Sequence, residues 1–137
     1  MTEIRKVTEN FAVSPQISEE DVAEIAAAGY KTIIANRPDG EGGPDQPAMG
    51  AIRAKAESLG LAFHALPFSG GPSHDIAARQ GELIFEAAKP VLAYCRTGTR
   101  SVTAWALSRA GEDPADDVIS AASNAGYDLE GLRPALT

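Results

Sequence analysis

Residues 91–101 read Val91-Leu92-Ala93-Tyr94-Cys95-Arg96-Thr97-Gly98-Thr99-Arg100-Ser101. The apolar run that opens this stretch predicts a short buried strand, and the residues from about 101 onward predict a helix. At such a junction the N–H groups of the first helical turn have no partner within the helix and can point at an anion. The stretch therefore predicts an α/β protein with an anion-binding loop at the end of a strand.

Cys95 stands at the entrance of this loop and is the candidate nucleophile. Gly98 permits a tight turn that exposes amides, and Arg100 can donate to two oxyanion oxygens at once. A cysteine that ends a core strand is usually only a small buried apolar residue. The Cys-x4-Arg-Ser pattern with an internal glycine is more specific, because helix dipole, amides and arginines together stabilise a thiolate. We expect catalytic roles for Cys95 and Arg100 and an anion-binding loop of Arg96, Thr97, Gly98, Thr99 and Ser101.

For two residues of that loop the sequence leaves more than one role possible. Arg96 could help to bind anions or could simply be exposed. Ser101 could cap the helix, donate a hydrogen bond to Cys95, or do both.

The remaining sequence alternates strands and helices over the first 95 residues and is helical afterwards. Strands are predicted at residues 10–13, 31–35, 61–66 and 90–94. Helices are predicted at about residues 19–28, 48–59, 73–88, 101–110, 113–124 and 129–136. This order predicts one domain over residues 1–137, with a four- or five-stranded, mostly parallel sheet, helices on both faces and a helical C-terminus.

Composition narrows the range of partners. The 137 residues carry a formal net charge of −7, which argues against nucleic acid and against an anionic membrane surface. A local cationic pocket still allows a small anionic substrate. The single cysteine forms no intramolecular disulfide, and we expect no metal and no cofactor. Without a signal-peptide pattern or a long apolar run, the expected location is the cytoplasm.

The loop resembles two families of enzymes. Cysteine phosphatases use Cys-x5-Arg, whereas many rhodanese-type sulfurtransferases read Tyr-Cys-Arg-Ser-Gly-x-Arg-Ser. Only four residues separate Cys95 from Arg100, so the loop is rhodanese-like in length.

The whole chain resembles the phosphatase-like domain family of bacterial beta-lactamase-hydrolase-like proteins. The similarity rests on three stretches: residues 29–41 (Gly-Tyr-Lys-Thr-Ile-Ile-Ala-Asn-Arg-Pro-Asp-Gly-Glu), residues 64–67 (His-Ala-Leu-Pro) and residues 95–101. It implies a fold like that of protein tyrosine and dual-specificity phosphatases. Members are described as phosphatase-like or as sulfurtransferases, sometimes fused to a persulfide dioxygenase, which is therefore an implied partner.

One departure from dual-specificity phosphatases bears on the chemistry. Their general-acid aspartate follows the strand equivalent to residues 62–66, but here residues 67–72 read Pro-Phe-Ser-Gly-Gly-Pro. Phosphate ester cleavage gains about 10²–10⁴-fold from such an acid. Asp75 lies nearby but is expected to be a first-turn helix acid. Asp39 or Glu41, from the Gly-rich loop at residues 37–47, could substitute, and Arg37 could line the rim of the site.

Three hypotheses follow. The leading one is sulfur transfer through a Cys95 persulfide, with thiosulfate or a small persulfide as donor, because this reaction needs no general acid. The second is phosphate monoester hydrolysis through a phosphocysteine. The third is a non-catalytic oxyanion or redox sensor.

Overall fold

A single sheet organises the computed structural model, which describes residues 2–137. Its strands are β1 (Arg5–Thr8), β2 (Phe11–Ser14), β3 (Thr32–Ala35), β4 (Ala62–Ala65) and β5 (Val91–Tyr94). They lie in the order β1-β2-β5-β3-β4, so β5 is central. The β1–β2 pair is antiparallel and the other three pairs are parallel. The predicted mostly parallel sheet is confirmed, with five strands.

Helices cover both faces of the sheet, as predicted. They are α1 (Glu19–Ala27), α2 (Met49–Ser58), α3 (His74–Glu86), α4 (Thr99–Ser108), α5 (Ala115–Asn124) and α6 (Arg133–Leu136), with a 3₁₀ turn at Glu130–Leu132. Ser18 and Asp21 form a capping box at the start of α1, and Ser73 caps α3. No helix within residues 2–137 has the length and apolar character that a membrane span requires.

Two hydrophobic cores lie on opposite faces, because side chains alternate along each strand. In β5, Val91 and Ala93 pack with residues of α3, α4 and α5, while Leu92 and Tyr94 pack with residues of α1 and α2. Trp105 of α4 belongs to the first core and stacks on Phe11 with ring centroids 6.1 Å apart. Trp105 is therefore a core residue.

The parallel register gathers the candidate site at one edge of the sheet. Tyr94, the last residue of β5, pairs with Ser14 of β2 on one side and Ala35 of β3 on the other. The segments that follow these three strands therefore leave the sheet together. Loops at the carboxyl ends of parallel strands are where α/β folds place ligands.

Some predicted boundaries were wrong. The predicted first strand is β2, and β1 was missed because this edge strand buries only Val7 among charged and polar neighbours. Helix α4 begins at Thr99, two residues before its predicted start, because Gly98 in a left-handed conformation serves as its N-cap. The predicted last helix is divided into a 3₁₀ turn and α6.

Candidate active site

Cys95 follows β5 directly, and its side chain is fully buried. The Gly98 N–H donates a hydrogen bond to Cys95 Sγ at 3.0 Å. Gly98 has φ of 94°, a conformation that residues with a Cβ rarely adopt. The turn therefore points an amide of the α4 N-terminus at the sulfur, and an N–H donor so placed stabilises a thiolate.

Neighbouring segments hold the loop in place. The Cys95 N–H donates to the Ser14 carbonyl at 3.4 Å, and the Gln16 N–H donates to the Arg96 carbonyl at 3.3 Å. The side chains of Thr97 and Thr99 are exposed and hydrogen-bonded to each other at 3.0 Å. The start of the loop, at Cys95 and Arg96, is thus tied to the end of β2 and the residues that follow it.

Arg100, in the first turn of α4, forms a two-pronged ion pair with Glu41. Its Nη2 lies 2.6 Å from Glu41 Oε1 and its Nη1 lies 2.8 Å from Oε2. The same Nη1 donates to the Phe68 carbonyl at 2.9 Å. The hydrogen bond to Glu41 is the largest cause that raises the pKa of Arg100, and the nearby Cys95 also raises it. Arg100 is therefore a permanent cation close to the sulfur.

Glu41 is shared between two arginines, since Arg37 Nε also donates to its Oε1 at 2.9 Å. Arg37 is buried and reaches the Gln16 side chain at 3.3 Å. Hydrogen bonding from Arg100, followed by that from Arg37, lowers the pKa of Glu41 to about 2 despite the opposing effect of burial. In this arrangement Glu41 is ionised near neutral pH and holds no proton to donate.

A pocket of about 450 Å³ opens over this cluster. Cys95 is fully buried and is not among the residues that line it. Arg96 is exposed and contributes a third guanidinium. The pocket is locally cationic although the chain carries a net charge of −7, because three arginines line it against one glutamate. Its lining residues are Arg37, Glu41, Gly42, Gly70, Arg96 and Arg100.

The other two candidate acids are placed differently. Asp39 Oδ1 accepts a hydrogen bond from the Met49 N–H at 2.7 Å and so caps α2. Asp75 is exposed in the first turn of α3, as expected for a helix acid. Neither aspartate lines the pocket. Within residues 2–137, His, Cys, Asp and Glu side chains form no group of three or more that could hold a metal.

A buried polar network beneath the loop was not predicted. The Ser101 hydroxyl donates to Asn36 Oδ1 at 2.8 Å, so Ser101 neither caps α4 nor donates to Cys95. Gln80 Nε2 donates to the same Asn36 oxygen at 2.9 Å, and Asn36 Nδ2 donates to the Leu66 carbonyl at 2.9 Å. The three residues are fully buried and tie β3, α3 and α4 together. A signal was available, because Gln80 lies three residues from Ala77 and from Leu83, on the buried stripe of α3.

These features define a class of protein: an α/β domain of the protein-tyrosine-phosphatase type, with a cysteine at the end of the central strand and an arginine at the start of the next helix. The chain belongs to the family described as the phosphatase-like domain of beta-lactamase hydrolase-like proteins, whose family model matches residues 3–112. The resemblance drawn from the sequence is thereby confirmed.

The relatives agree with this assignment. A beta-lactamase hydrolase-like protein of Xylella fastidiosa is 35% identical over 127 residues, which make up 90% of this chain and 29% of that protein. The chain thus spans less than a third of the length of this curated relative.

Solved structures support the same fold. A candidate phosphatase from Neisseria meningitidis is 39% identical, with a TM-score of 0.87 over 99% of this chain and 97% of that chain. A kinase associated phosphatase whose catalytic-site cysteine is replaced by serine gives a TM-score of 0.71 at 13% identity, over 97% of this chain and 89% of that chain. At such low identity the second similarity shows the fold alone.

Proposed function

We propose that this chain hydrolyses phosphate monoesters through a phosphocysteine formed on Cys95. The observation that carries the proposal is the placement of Cys95 Sγ against the Gly98 N–H, in a loop that also brings Arg100 close to the sulfur. A thiolate beside an amide-rich, cationic loop is a nucleophile placed for an anionic electrophile. The family assignment supports the same reaction class.

The reaction divides into two displacements. In the first, Cys95 Sγ attacks phosphorus, an S–P bond forms, and the ester P–O bond breaks with its electron pair leaving on oxygen. In the second, water attacks the phosphocysteine, an O–P bond forms, and the S–P bond breaks. The water proton passes to solvent, and inorganic phosphate and the thiolate are released.

Arg100 and the loop amides have a shared role in this scheme. The backbone N–H groups from Arg96 to Ser101 would bind the equatorial phosphoryl oxygens, on which charge is spread in the transition state. Arg100 would donate through the N–H groups that Glu41 and Phe68 do not engage. Arg37 and Arg96 would line the rim of the pocket, where they attract an anionic substrate.

None of the three candidate carboxylates is placed to protonate the leaving oxygen. Glu41 is ionised, Asp39 caps α2, and Asp75 is exposed away from the pocket lining. We therefore propose that good leaving groups, such as phenols, depart without protonation. Alkyl phosphates, which need an acid, should be much poorer substrates.

Sulfur transfer is the second candidate, and one observation favours it. The four-residue spacing between Cys95 and Arg100 is one shorter than in cysteine phosphatases and matches rhodanese-type loops. We rank it second because the relatives described above bear phosphatase and hydrolase-like names rather than those of sulfurtransferases. If this second candidate holds, thiosulfate or a persulfide would be the substrate and a persulfide dioxygenase would be the partner.

The test uses reduced protein in two parallel assays. One measures release of a nitrophenol from nitrophenyl phosphate, and the other measures a gain of one sulfur atom by intact mass after incubation with thiosulfate. The proposal expects turnover that is lost in Cys95→Ser, with unchanged thermal stability of the variant. A persulfide on Cys95 without phosphate release would reverse the ranking. Neither activity in a folded, reduced sample would favour the sensor hypothesis.

A further inference from the structure

Tyr127 contacts the loop at residues 95–101, although it lies beyond residues 3–112, which the family model matches. It follows α5, its side chain is mostly buried, and its hydroxyl donates a hydrogen bond to the Thr97 carbonyl at 2.8 Å. Thr97 and Gly98 share one peptide group, so this hydrogen bond acts on the same unit whose N–H donates to Cys95 Sγ.

Because a peptide group is rigid, the hydrogen bond to the Thr97 carbonyl and the hydrogen bond from the Gly98 N–H depend on each other. In a trans peptide the C=O and the N–H point in opposite directions from one rigid plane. The Thr97 carbonyl is fixed by Tyr127, and the Gly98 N–H is directed at the sulfur. If this plane turned over, the carbonyl oxygen would face the thiolate, the amide donor would be lost, and the Tyr127 hydroxyl would lose its acceptor.

The Tyr127 hydroxyl also packs directly against Gly98. A Cβ added to Gly98 would lie 2.1 Å from the hydroxyl oxygen and 2.9 Å from Cζ of the ring. The close approach leaves no room for a side chain on the loop at this point. Linked hydrogen bonds polarise one another, so donation to the carbonyl strengthens the N–H donor at the other end of the same peptide.

Tyr127 is itself held in position. Its N–H donates to the Ala122 carbonyl at 2.9 Å, and the Arg5 guanidinium lies 5.3 Å from the centre of its ring. Burial raises the pKa of the Tyr127 hydroxyl above its ordinary value. The hydroxyl is therefore protonated, and able to donate, throughout the neutral range.

We infer that Tyr127 is a positioning residue for Cys95, which fixes the Thr97–Gly98 peptide with its N–H towards the sulfur. The role in catalysis rests on the proposed phosphatase function, but the effect on the thiolate does not. The two can therefore be tested separately.

The test compares Tyr127→Phe, which removes only the hydroxyl, with Tyr30→Phe as a matched control. Tyr30 is also buried but belongs to the core on the opposite face of the sheet. Because the thiolate is the reactive form, we measure alkylation of the single cysteine by iodoacetamide. We expect Tyr127→Phe to react roughly fivefold more slowly at about pH 6.5 and at the wild-type rate at about pH 10, which lies above the ordinary pKa of a free thiol. Tyr30→Phe should match the wild type at both.

Turnover supplies the second readout. We expect kcat/KM for nitrophenyl phosphate to fall roughly five- to tenfold in Tyr127→Phe, with thermal stability close to that of Tyr30→Phe. Equal alkylation of Tyr127→Phe and wild type at the lower pH would overturn the inference. So would an equal change in the alkylation rate at both pH values, since that would indicate altered access to the buried sulfur rather than a less stable thiolate. If the wild type shows no phosphatase activity, the proposed function fails while the alkylation comparison still decides the role of Tyr127.

Discussion

Arg100 and Glu41 are joined by two hydrogen bonds of 2.6 and 2.8 Å across the mouth of the candidate active site. The pair is mostly shielded, with 17% of the Arg100 side chain and 28% of the Glu41 side chain exposed. It fixes the guanidinium whose remaining N–H groups would meet the substrate. It also keeps the Glu41 carboxylate ionised, which removes the nearest acidic group as a proton donor.

Glu41→Gln separates positioning from proton donation. The variant keeps one acceptor oxygen but loses the charge, so Arg100 is held less firmly. We expect kcat/KM to fall roughly tenfold to a similar extent for nitrophenyl phosphate and for an alkyl phosphate. A general acid would behave differently, because its loss costs about 10²–10⁴-fold and mainly for poor leaving groups.

The control for this comparison is Glu57→Gln, which makes the same change on the exposed face of α2. It should leave both activities unchanged. A loss confined to the alkyl phosphate in Glu41→Gln would identify Glu41 as the acid and contradict the positioning role.

The same pair predicts a pH dependence of stability. The pKa of Glu41 is about 2 in the folded protein, below its ordinary value of 4.5. A lowered folded-state pKa means that the ionised carboxylate stabilises the fold fully above about pH 4.5 and that this contribution is lost as the pH falls towards 2. Glu41→Gln lacks this contribution at every pH.

Thermal unfolding of the wild type and Glu41→Gln between about pH 2 and pH 7 checks this prediction. The difference in Tm should be constant above about pH 5 and should shrink as the pH falls below 4.5. Other carboxylates titrate equally in both proteins and cancel in the difference. A difference that persists unchanged to pH 2 would show that the charge of Glu41 does not stabilise the fold.

What the sequence predicted well was local. The run from β5 through Cys95 to α4 combines an apolar strand, a glycine turn and a helical pattern within eighteen residues, Val91–Ser108, so its geometry needs little information from elsewhere. The caps at Ser18 and Ser73 are local in the same sense, because each side chain accepts a hydrogen bond from an N–H only three residues along the chain. By contrast, β1 shows only one buried residue and depends on pairing with β2 for its structure.

The contacts that complete the site are distant in sequence. Glu41 and Arg100 are 59 residues apart, and Thr97 and Tyr127 are 30 apart. No spacing rule joins such pairs, since they meet only when the loops leave the same edge of the sheet. The sequence favoured sulfur transfer because it shows a short loop and lacks the expected aspartate. The relatives favour the phosphatase alternative instead.

Arg96 provides a prediction about substrate capture. Its guanidinium is exposed at the pocket and lies outside the Arg100–Glu41–Arg37 cluster. Arg96→Ala should raise KM for nitrophenyl phosphate roughly three- to tenfold at low ionic strength, with little change in kcat, because an exposed charge acts on ground state and transition state alike. The increase should shrink in salt.

Arg79→Ala removes another exposed arginine, from α3, and serves as the control. It should leave KM near the wild-type value, since Arg79 does not line the pocket. An equal increase in KM for both variants would mean that only the overall charge matters. A fall in kcat for Arg96→Ala would assign Arg96 a part in the transition state instead.

Gly98→Ala tests how the loop at residues 95–101 packs against Tyr127. Gly98 has φ of 94°, and an added Cβ would meet the Tyr127 hydroxyl oxygen at 2.1 Å. Gly29 offers a matched control, because it has φ of 97° and no atom within 4 Å of an added Cβ. Gly29→Ala should therefore lower the free energy of unfolding by about 1 kcal/mol through backbone strain alone. Gly98→Ala should lower it by about 1–3 kcal/mol more, because the clash adds to the strain.

Urea denaturation of both variants measures the difference, and the double variant Gly98→Ala/Tyr127→Phe should recover part of it by removing the nearest atom. Equal destabilisation at the two glycines would show that the loop moves away from Tyr127 without cost.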